Sequence, residues 1–256
     1  MGIVTPTNKD VTRLEGLHLY HFSMSNCSMR VRMALEEKGL PWTSHHVNLH
    51  KAENATPEYF GIHPKGLVPV LVHDGVVFIE STDIIDYLDT TFSDPTLRPV
   101  DEAEEAEMQN WMRLASENHI HVKTYMFANQ IGKRMAKTEA DLETYRELQN
   151  NDELREFHKE NSSPEGLSAE RLADSAETLN NFFARVERQL SRHEWLVGAS
   201  FSLADITWIP LYVTLNNARF SFEQYPNVLR WKDAVRARGS FQKGVLDWVQ
   251  KDLSRD

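Results

Sequence analysis

Glu80 and Ser81 are the residues of this chain whose types and placement best suit a small charged ligand. A carboxylate and a hydroxyl stand where the apolar run Val76-Val77-Phe78-Ile79 gives way to a helical pattern opening at Ser81. Glu80 can take an ammonium group. Ser81 and the backbone N–H groups behind it form an anion site at a helix N-terminus, so the pair suits the two charged ends of an amino acid head group. Val68 precedes Pro69, which forces it extended and leaves its backbone open to a peptide-like ligand. The plainer alternative is a β-hairpin turning at Asp74-Gly75, with Ser81 as an ordinary helix cap.

The segment upstream favours binding. Leu17 to His21 reads as a strand, Ser25 and Asn26 as cap candidates, and 29–38 as a helix stopped by Lys38-Gly39 with Pro41 beyond. A strand over 45–49, a helix over roughly 52–62, the hairpin and a helix over 81–92 follow. That order is thioredoxin-like, an α/β unit whose first helix starts at the carboxyl end of the first strand, where open sheets bind ligands and where helix amides favour a thiolate. Cys27 is expected to be a buried helix-start residue without a redox role.

At 256 residues, the chain has room for a small α/β unit and a helical one. A formal net charge of -10, with no basic cluster, argues against nucleic acid as a partner. No apolar run approaches the ~18 residues of a membrane helix. The first residues lack the pattern of a signal peptide, and a single cysteine fits a reducing, cytoplasmic compartment. No spacing of histidines and cysteines suggests a metal site. Residues 93–99 carry the prolines and turn residues of a linker, which divides the chain into 15–92, the linker, and an all-helical 100–256. Within the second part, 137–165 is so polar that it reads as an exposed helical extension. Ser202 and Asp205 form a capping pair ahead of an apolar helix.

Taken in order, Leu19-Tyr20, Ser25, Arg30-Val31-Arg32-Met33-Ala34-Leu35, His63-Pro64-Lys65-Gly66-Leu67-Val68-Pro69, Glu80-Ser81 and Ser202 with Asp205 resemble the cytosolic glutathione transferases over nearly the whole chain. His63 departs from the asparagine usual there. The resemblance implies a glutathione-binding thioredoxin-like domain, an all-α domain that takes the second substrate, and a homodimer. Glutathione would serve as co-substrate, attacking a small hydrophobic electrophile. It implies that Ser25, or Ser28 one turn on, hydrogen-bonds the glutathione sulfur. Val68 beside a cis Pro69 would pair with the cysteinyl unit, Glu80 and Ser81 would hold the γ-glutamyl end, and Lys65 the glycine carboxylate. His119, Tyr125, Trp208 and Tyr212 are the candidates for the acceptor pocket.

Local matches are similar to the bacterial β-etherases, which displace a phenolate from an aryl ether, while Ser25-Asn26-Cys27-Ser28 looks like the zeta-type isomerases of maleyl compounds. A non-catalytic glutathione carrier is the alternative from a different class.

Overall fold

The computed structural model describes residues 2–253. Its α/β unit contains β1 (Ile3–Val4), β2 (Leu17–His21), α1 (Asn26–Glu37), β3 (Thr43–His46), α2 (Pro57–Phe60), β4 (Val70–His73), β5 (Val76–Phe78) and α3 (Ser81–Thr91). The strands form one sheet in the order β1-β5-β4-β2-β3, parallel between β2 and β3 and antiparallel elsewhere. Register places Leu19 beside Leu71 and Leu71 beside Phe78, a row buried under α1 and α3. Their neighbours Val70, Val72 and Val77 point the other way, into a second cluster with Tyr59 and Ile62. This alternation is what a sheet covered on both faces requires.

Three local readings change. β1 lies ahead of the expected start at residue 15 and still joins the sheet through Ile3 and Val4. The strand expected at 45–49 runs over 43–46. The helix expected over 52–62 shrinks to α2, because Ala52 is left-handed at φ 55° and closes a short turn, after which Thr56 and Pro57 open a new helix.

The helical unit comprises α4 (Glu102–Glu117), α5 (His119–Met126), α6 (Glu139–Leu148), α7 (Asp152–Asn161), α8 (Ala169–Leu190), α9 (Leu203–Asn217), α10 (Pro226–Arg236), α11 (Gly239–Phe241) and α12 (Asp247–Leu253). Its core is aromatic and aliphatic, with Trp111, Phe183, Trp208, Leu215 and Trp231 buried together. The expected capping pair forms: Asp205 accepts from the Ser202 amide at 2.9 Å, and also from the Leu196 amide at 3.0 Å and Trp231 Nε1 at 2.7 Å. Among the described residues, no helix is long and apolar enough to cross a membrane. The expected end of the domain at 256 lies outside them.

A buried ion cluster anchors the linker to the α/β unit. Lys38 Nζ donates to Asp89 Oδ1 at 2.7 Å with both side chains fully enclosed, and Arg98 Nε donates to Asp89 Oδ2 at 2.9 Å. The Leu97 amide donates to Asp89 as well, and the Leu203 amide to the Leu97 carbonyl, so the 93–99 segment is clamped between α3 and α9. α1 is enclosed too, packing on α3, on α9 and on the segment around Gly244. A Cβ at Gly244 would stand 2.9 Å from the Met33 amide, so this approach needs glycine.

Candidate active site

The loop between β2 and α1 is held from beneath by Arg32. This fully buried guanidinium donates to the carbonyls of Phe22 at 3.0 Å, Ser23 at 2.9 Å and Gly244 at 2.7 Å, and lies 3.1 Å from His21 Nδ1. The pinned loop delivers Ser25 to the N-terminus of α1, where its Oγ accepts from the Ser28 amide at 3.2 Å. With that lone pair engaged, the hydroxyl proton is what Ser25 has left to give, and the side chain is partly exposed. Ser28, the alternative donor to sulfur, is sealed inside: it is fully buried and its Oγ accepts from the Phe22 amide at 3.3 Å.

Cys27 differs from expectation. It is partly exposed, with Sγ 3.5 Å from His119 Nε2 and 4.0 Å from Arg30 Nη1. Burial alone would push the thiol up. The charges of His119 and Arg30, with hydrogen bonds from His119 and Ser81, outweigh it and bring the thiol down to about 6. His119 Nε2 also stands 2.9 Å from Asn26 Oδ1, an acceptor, which marks Nε2 as the protonated nitrogen. His119, one of the four residues expected in the acceptor pocket, thus faces the start of α1.

The edge at Val68, expected to pair with a ligand, is also formed. The Val68–Pro69 peptide is cis and leads into β4. His63, which replaces the usual asparagine, is buried and accepts from the Lys65 amide through Nδ1 at 3.1 Å, the local turn bond an asparagine side chain makes. Burial, then the charge of Lys65, depresses its pKa to about 4, which keeps the accepting nitrogen unprotonated.

Glu80 sits at φ 65° and ψ 108°, a backbone state that costs a non-glycine residue on the order of 1–3 kcal/mol and clusters at functional sites. Its carboxylate is exposed and accepts from Lys65 Nζ at 3.2 Å. An ion pair so open contributes at most about 1 kcal/mol and yields readily to another ammonium. The contact puts Lys65, the residue expected at the glycine carboxylate, beside Glu80. Ser81 Oγ accepts from Arg30 Nη1 at 3.1 Å at the start of α3, and its hydroxyl faces the Cys27 thiol. Arg30 is 1% exposed, and its Nη2 has no partner among the described residues.

Two of the expected acceptor-pocket residues, Trp208 and Tyr212, are enclosed in the core, and Tyr125 is half-buried on α5. Trp208 is 2% exposed and donates to the Trp111 carbonyl at 3.0 Å, and the space beside it is closed to a cavity of about 10 Å³. Tyr212 is buried against Phe222 at 4.4 Å. Tyr125 packs edge-on to Phe220 at 5.3 Å. Trp208 and Tyr212 are drawn into the hydrophobic core by the same aromatic character that suggested a pocket, while Tyr125 packs against its margin.

Sequence reasoning missed Arg30, the Cys27–His119 contact and the role of the polar extension. α6 and α7 are exposed on one side only: Tyr145, Gln149, Phe157 and Asn161 are buried, and Gln149 Nε2 donates to the Lys65 carbonyl at 2.8 Å. The extension therefore covers the loop that carries Lys65 and Val68. The signal for it was present in the i, i+4 spacing of Tyr145 with Gln149 and Phe157 with Asn161.

Comparison with known proteins agrees with this architecture. The profile "Glutathione S-transferase, N-terminal domain" matches residues 19–96, and "Glutathione S-transferase, C-terminal domain" matches 157–239. Protein LigF of Sphingobium is 31% identical over 247 residues, covering 93% of this chain and 96% of that one. The crystal structure of that protein, described as a β-etherase, superposes with a TM-score of 0.82 at 28% identity, covering 89% of this chain and 98% of the other. A zeta-class glutathione S-transferase of Euphorbia esula is 29% identical, covering 90% of each chain. A glutathione transferase homologue from Sulfitobacter with bound glutathione has a TM-score of 0.66 at 25% identity, covering 89% of this chain and 95% of the other. The chain belongs to the glutathione S-transferase family, enzymes that use glutathione as co-substrate.

Proposed function

We propose that this enzyme activates the glutathione thiol at Ser25 and delivers it to an aromatic electrophile, of which an aryl ether is the best-supported class. One observation carries the reading. The Ser25 oxygen is occupied by the Ser28 amide at the N-terminus of α1, so its proton and the free helix amides converge where a sulfur anion gains most from them. In this reading, glutathione runs from Glu80 and Ser81 along the Val68–Pro69 edge, and its sulfur ends at Ser25. The serine attacks nothing; it lowers the thiol pKa so that the thiolate exists near neutral pH. His119, beside the start of α1, is the group closest in kind to a proton donor for a departing phenolate. The aryl ether class rests on the similarity to the β-etherase from Sphingobium, and the homodimer and the cytoplasmic setting rest on the family.

Turnover of a panel with glutathione held constant tests the proposal. Release of a fluorescent phenol from a β-aryl ether ketone supports it. Activity on chlorodinitrobenzene alone would keep the transferase and remove the ether. Activity on maleylacetone alone would favour the isomerase, and none at all would favour a carrier.

A second reading has its own observation. Cys27 is a partly exposed thiol brought down to about 6, which suits thiol–disulfide exchange with glutathione disulfide. Intact-mass measurement after exposure to glutathione disulfide decides it: a glutathione adduct lost in Cys27→Ala supports exchange, and no adduct at neutral pH removes it.

A further inference from the structure

The covered region between α5 and α7 gathers basic and aromatic groups that the proposed mechanism leaves unused. Lys123 lies one helical turn beyond His119, on the same face of α5. Its Nζ sits 4.1 Å from the Phe157 ring centre, 5.6 Å from that of Phe127 and 3.4 Å from His158 Nε2. Lys137 Nζ lies 4.8 Å from the Tyr145 ring centre, and the Tyr145 and His158 rings are 5.2 Å apart. Among the described residues, no carboxylate is within salt-bridge distance of Lys123 or Lys137; the charge of Glu153 reaches Lys123 and that of Asp141 reaches Lys137.

In a protein with 38 acidic against 28 basic residues, two partly buried ammonium groups without a salt-bridged carboxylate stand apart from the acidic balance of the chain. His158 Nδ1 is a buried ring nitrogen without a partner in the same cluster, and such orphans mark places where another molecule completes the bonding. Burial, with Lys137 adding to it and Glu153 opposing it, depresses Lys123 to about 7, as expected of a cation short of a counter-charge.

The cluster also adjoins the site. His119 ties its α5 end to Asn26 and Cys27, and Tyr145 accepts from Gln149, which donates in turn to the Lys65 carbonyl. Cations backed by buried aromatic rings, one helical turn along α5 from the residue that faces Cys27, fit the anionic group of an acceptor.

We propose that Lys123, supported by Lys137 against the Phe157 and Tyr145 rings, is a specificity-determining subsite for acceptors that carry a carboxylate or phenolate on the aromatic ring. This rests on the aromatic-electrophile reading above. The cation receives the acceptor's anion and leaves thiolate activation to Ser25. Both conjugation by the thiolate and release of the product retain that anion, so the subsite ranks acceptors by charge.

The test is a matched pair of chlorinated nitroarenes, chlorodinitrobenzene and chloronitrobenzoate, which differ in a nitro against a carboxylate group. It is run on the full-length enzyme, Lys123→Met and Lys123→Arg. A parallel arm measures calorimetric binding of unreactive nitrobenzoate at saturating glutathione. We expect Lys123→Met to lower the ratio of kcat/KM for the carboxylate acceptor over the uncharged one by about tenfold, mostly through KM, and to weaken nitrobenzoate binding equally. Lys123→Arg should restore both. An unchanged ratio with unchanged nitrobenzoate affinity in Lys123→Met would overturn the subsite, as would absence of nitrobenzoate binding to the parent enzyme. If the parent turns over neither acceptor yet loses nitrobenzoate binding on Lys123→Met, the aromatic-electrophile reading falls and the anion subsite stands.

Discussion

At the scale of single residues, the site works by leaving the right atom free. Ser25 accepts a hydrogen bond from the Ser28 amide and so presents its proton outward, while Ser81 accepts from Arg30 and faces the Cys27 thiol. Glu80 holds a carboxylate on a strained, positive-φ backbone, paired with the exposed Lys65. Replacing it by alanine removes the partner of a ligand ammonium, a charge-assisted contact of about 1.5–3 kcal/mol, so calorimetry should find glutathione binding at least tenfold weaker in Glu80→Ala. Unchanged affinity would remove Glu80 from the site. His63 shows how a departure from a family pattern is absorbed. Its imidazole supplies the acceptor that the turn demands, so His63→Asn should keep glutathione affinity within a factor of two or so, whereas His63→Ala leaves the Lys65 amide unsatisfied at a cost of about 1–3 kcal/mol. Thermal unfolding of the two variants distinguishes them.

At the scale of elements, the ties between units decide whether the cleft exists. Asp89→Ala would leave Lys38 buried without its anion, a loss of about 3–5 kcal/mol in comparable pairs. For a chain of this size, calorimetric Tm should fall on the order of 10 °C. α6 and α7 are secured differently, through buried Tyr145 and Phe157 and the Gln149 bond to Lys65. Gln149→Ala should raise amide exchange across 139–161 while the sheet stays protected, which hydrogen-exchange mass spectrometry resolves. Equal protection in the parent and the variant would show that this bond does not anchor the extension.

The elements were legible where period and punctuation are local: β2, α1, the hairpin, α3 and the Ser202 capping pair follow from alternation, caps and stops. The short α2 was not, because the left-handed turn at Ala52 has no glycine to announce it. The inner face of the extension was masked by its polar composition. In the site, Ser25, Glu80 and Ser81 were legible from helix starts. The pairing of Cys27 with His119, 92 residues apart, depends on how α5 docks on α1, which no local pattern encodes.

At the scale of the molecule, stability should depend on pH through histidines enclosed in neutral form. Burial first, then neighbouring cations, hold His21 far below its ordinary value of 6.5 and His63 at about 4. Above 6.5 both the folded and the unfolded chain leave them uncharged, so neither contributes a difference. As pH falls below 6.5 the unfolded chain binds protons that the folded one refuses, and stability is lost at up to about 1.4 kcal/mol per pH unit for each histidine. His63 stops contributing below about 4, where the folded form accepts its proton too. Denaturant unfolding between pH 7 and 4 should show this loss, and it should lessen in His63→Asn.

The function of the whole rests on a thiolate held by Ser25. The most direct measurement is an ultraviolet difference titration of bound glutathione, taken with and without ligand so that the enzyme's own groups cancel, in the parent, in Cys27→Ala and in the double variant with Ser25→Ala. The account predicts a bound thiol pKa well below that of free glutathione in the parent and in Cys27→Ala, and a clear rise when Ser25 is also removed. A bound thiol that is unmoved by Ser25→Ala, or one already raised by Cys27→Ala alone, would contradict it.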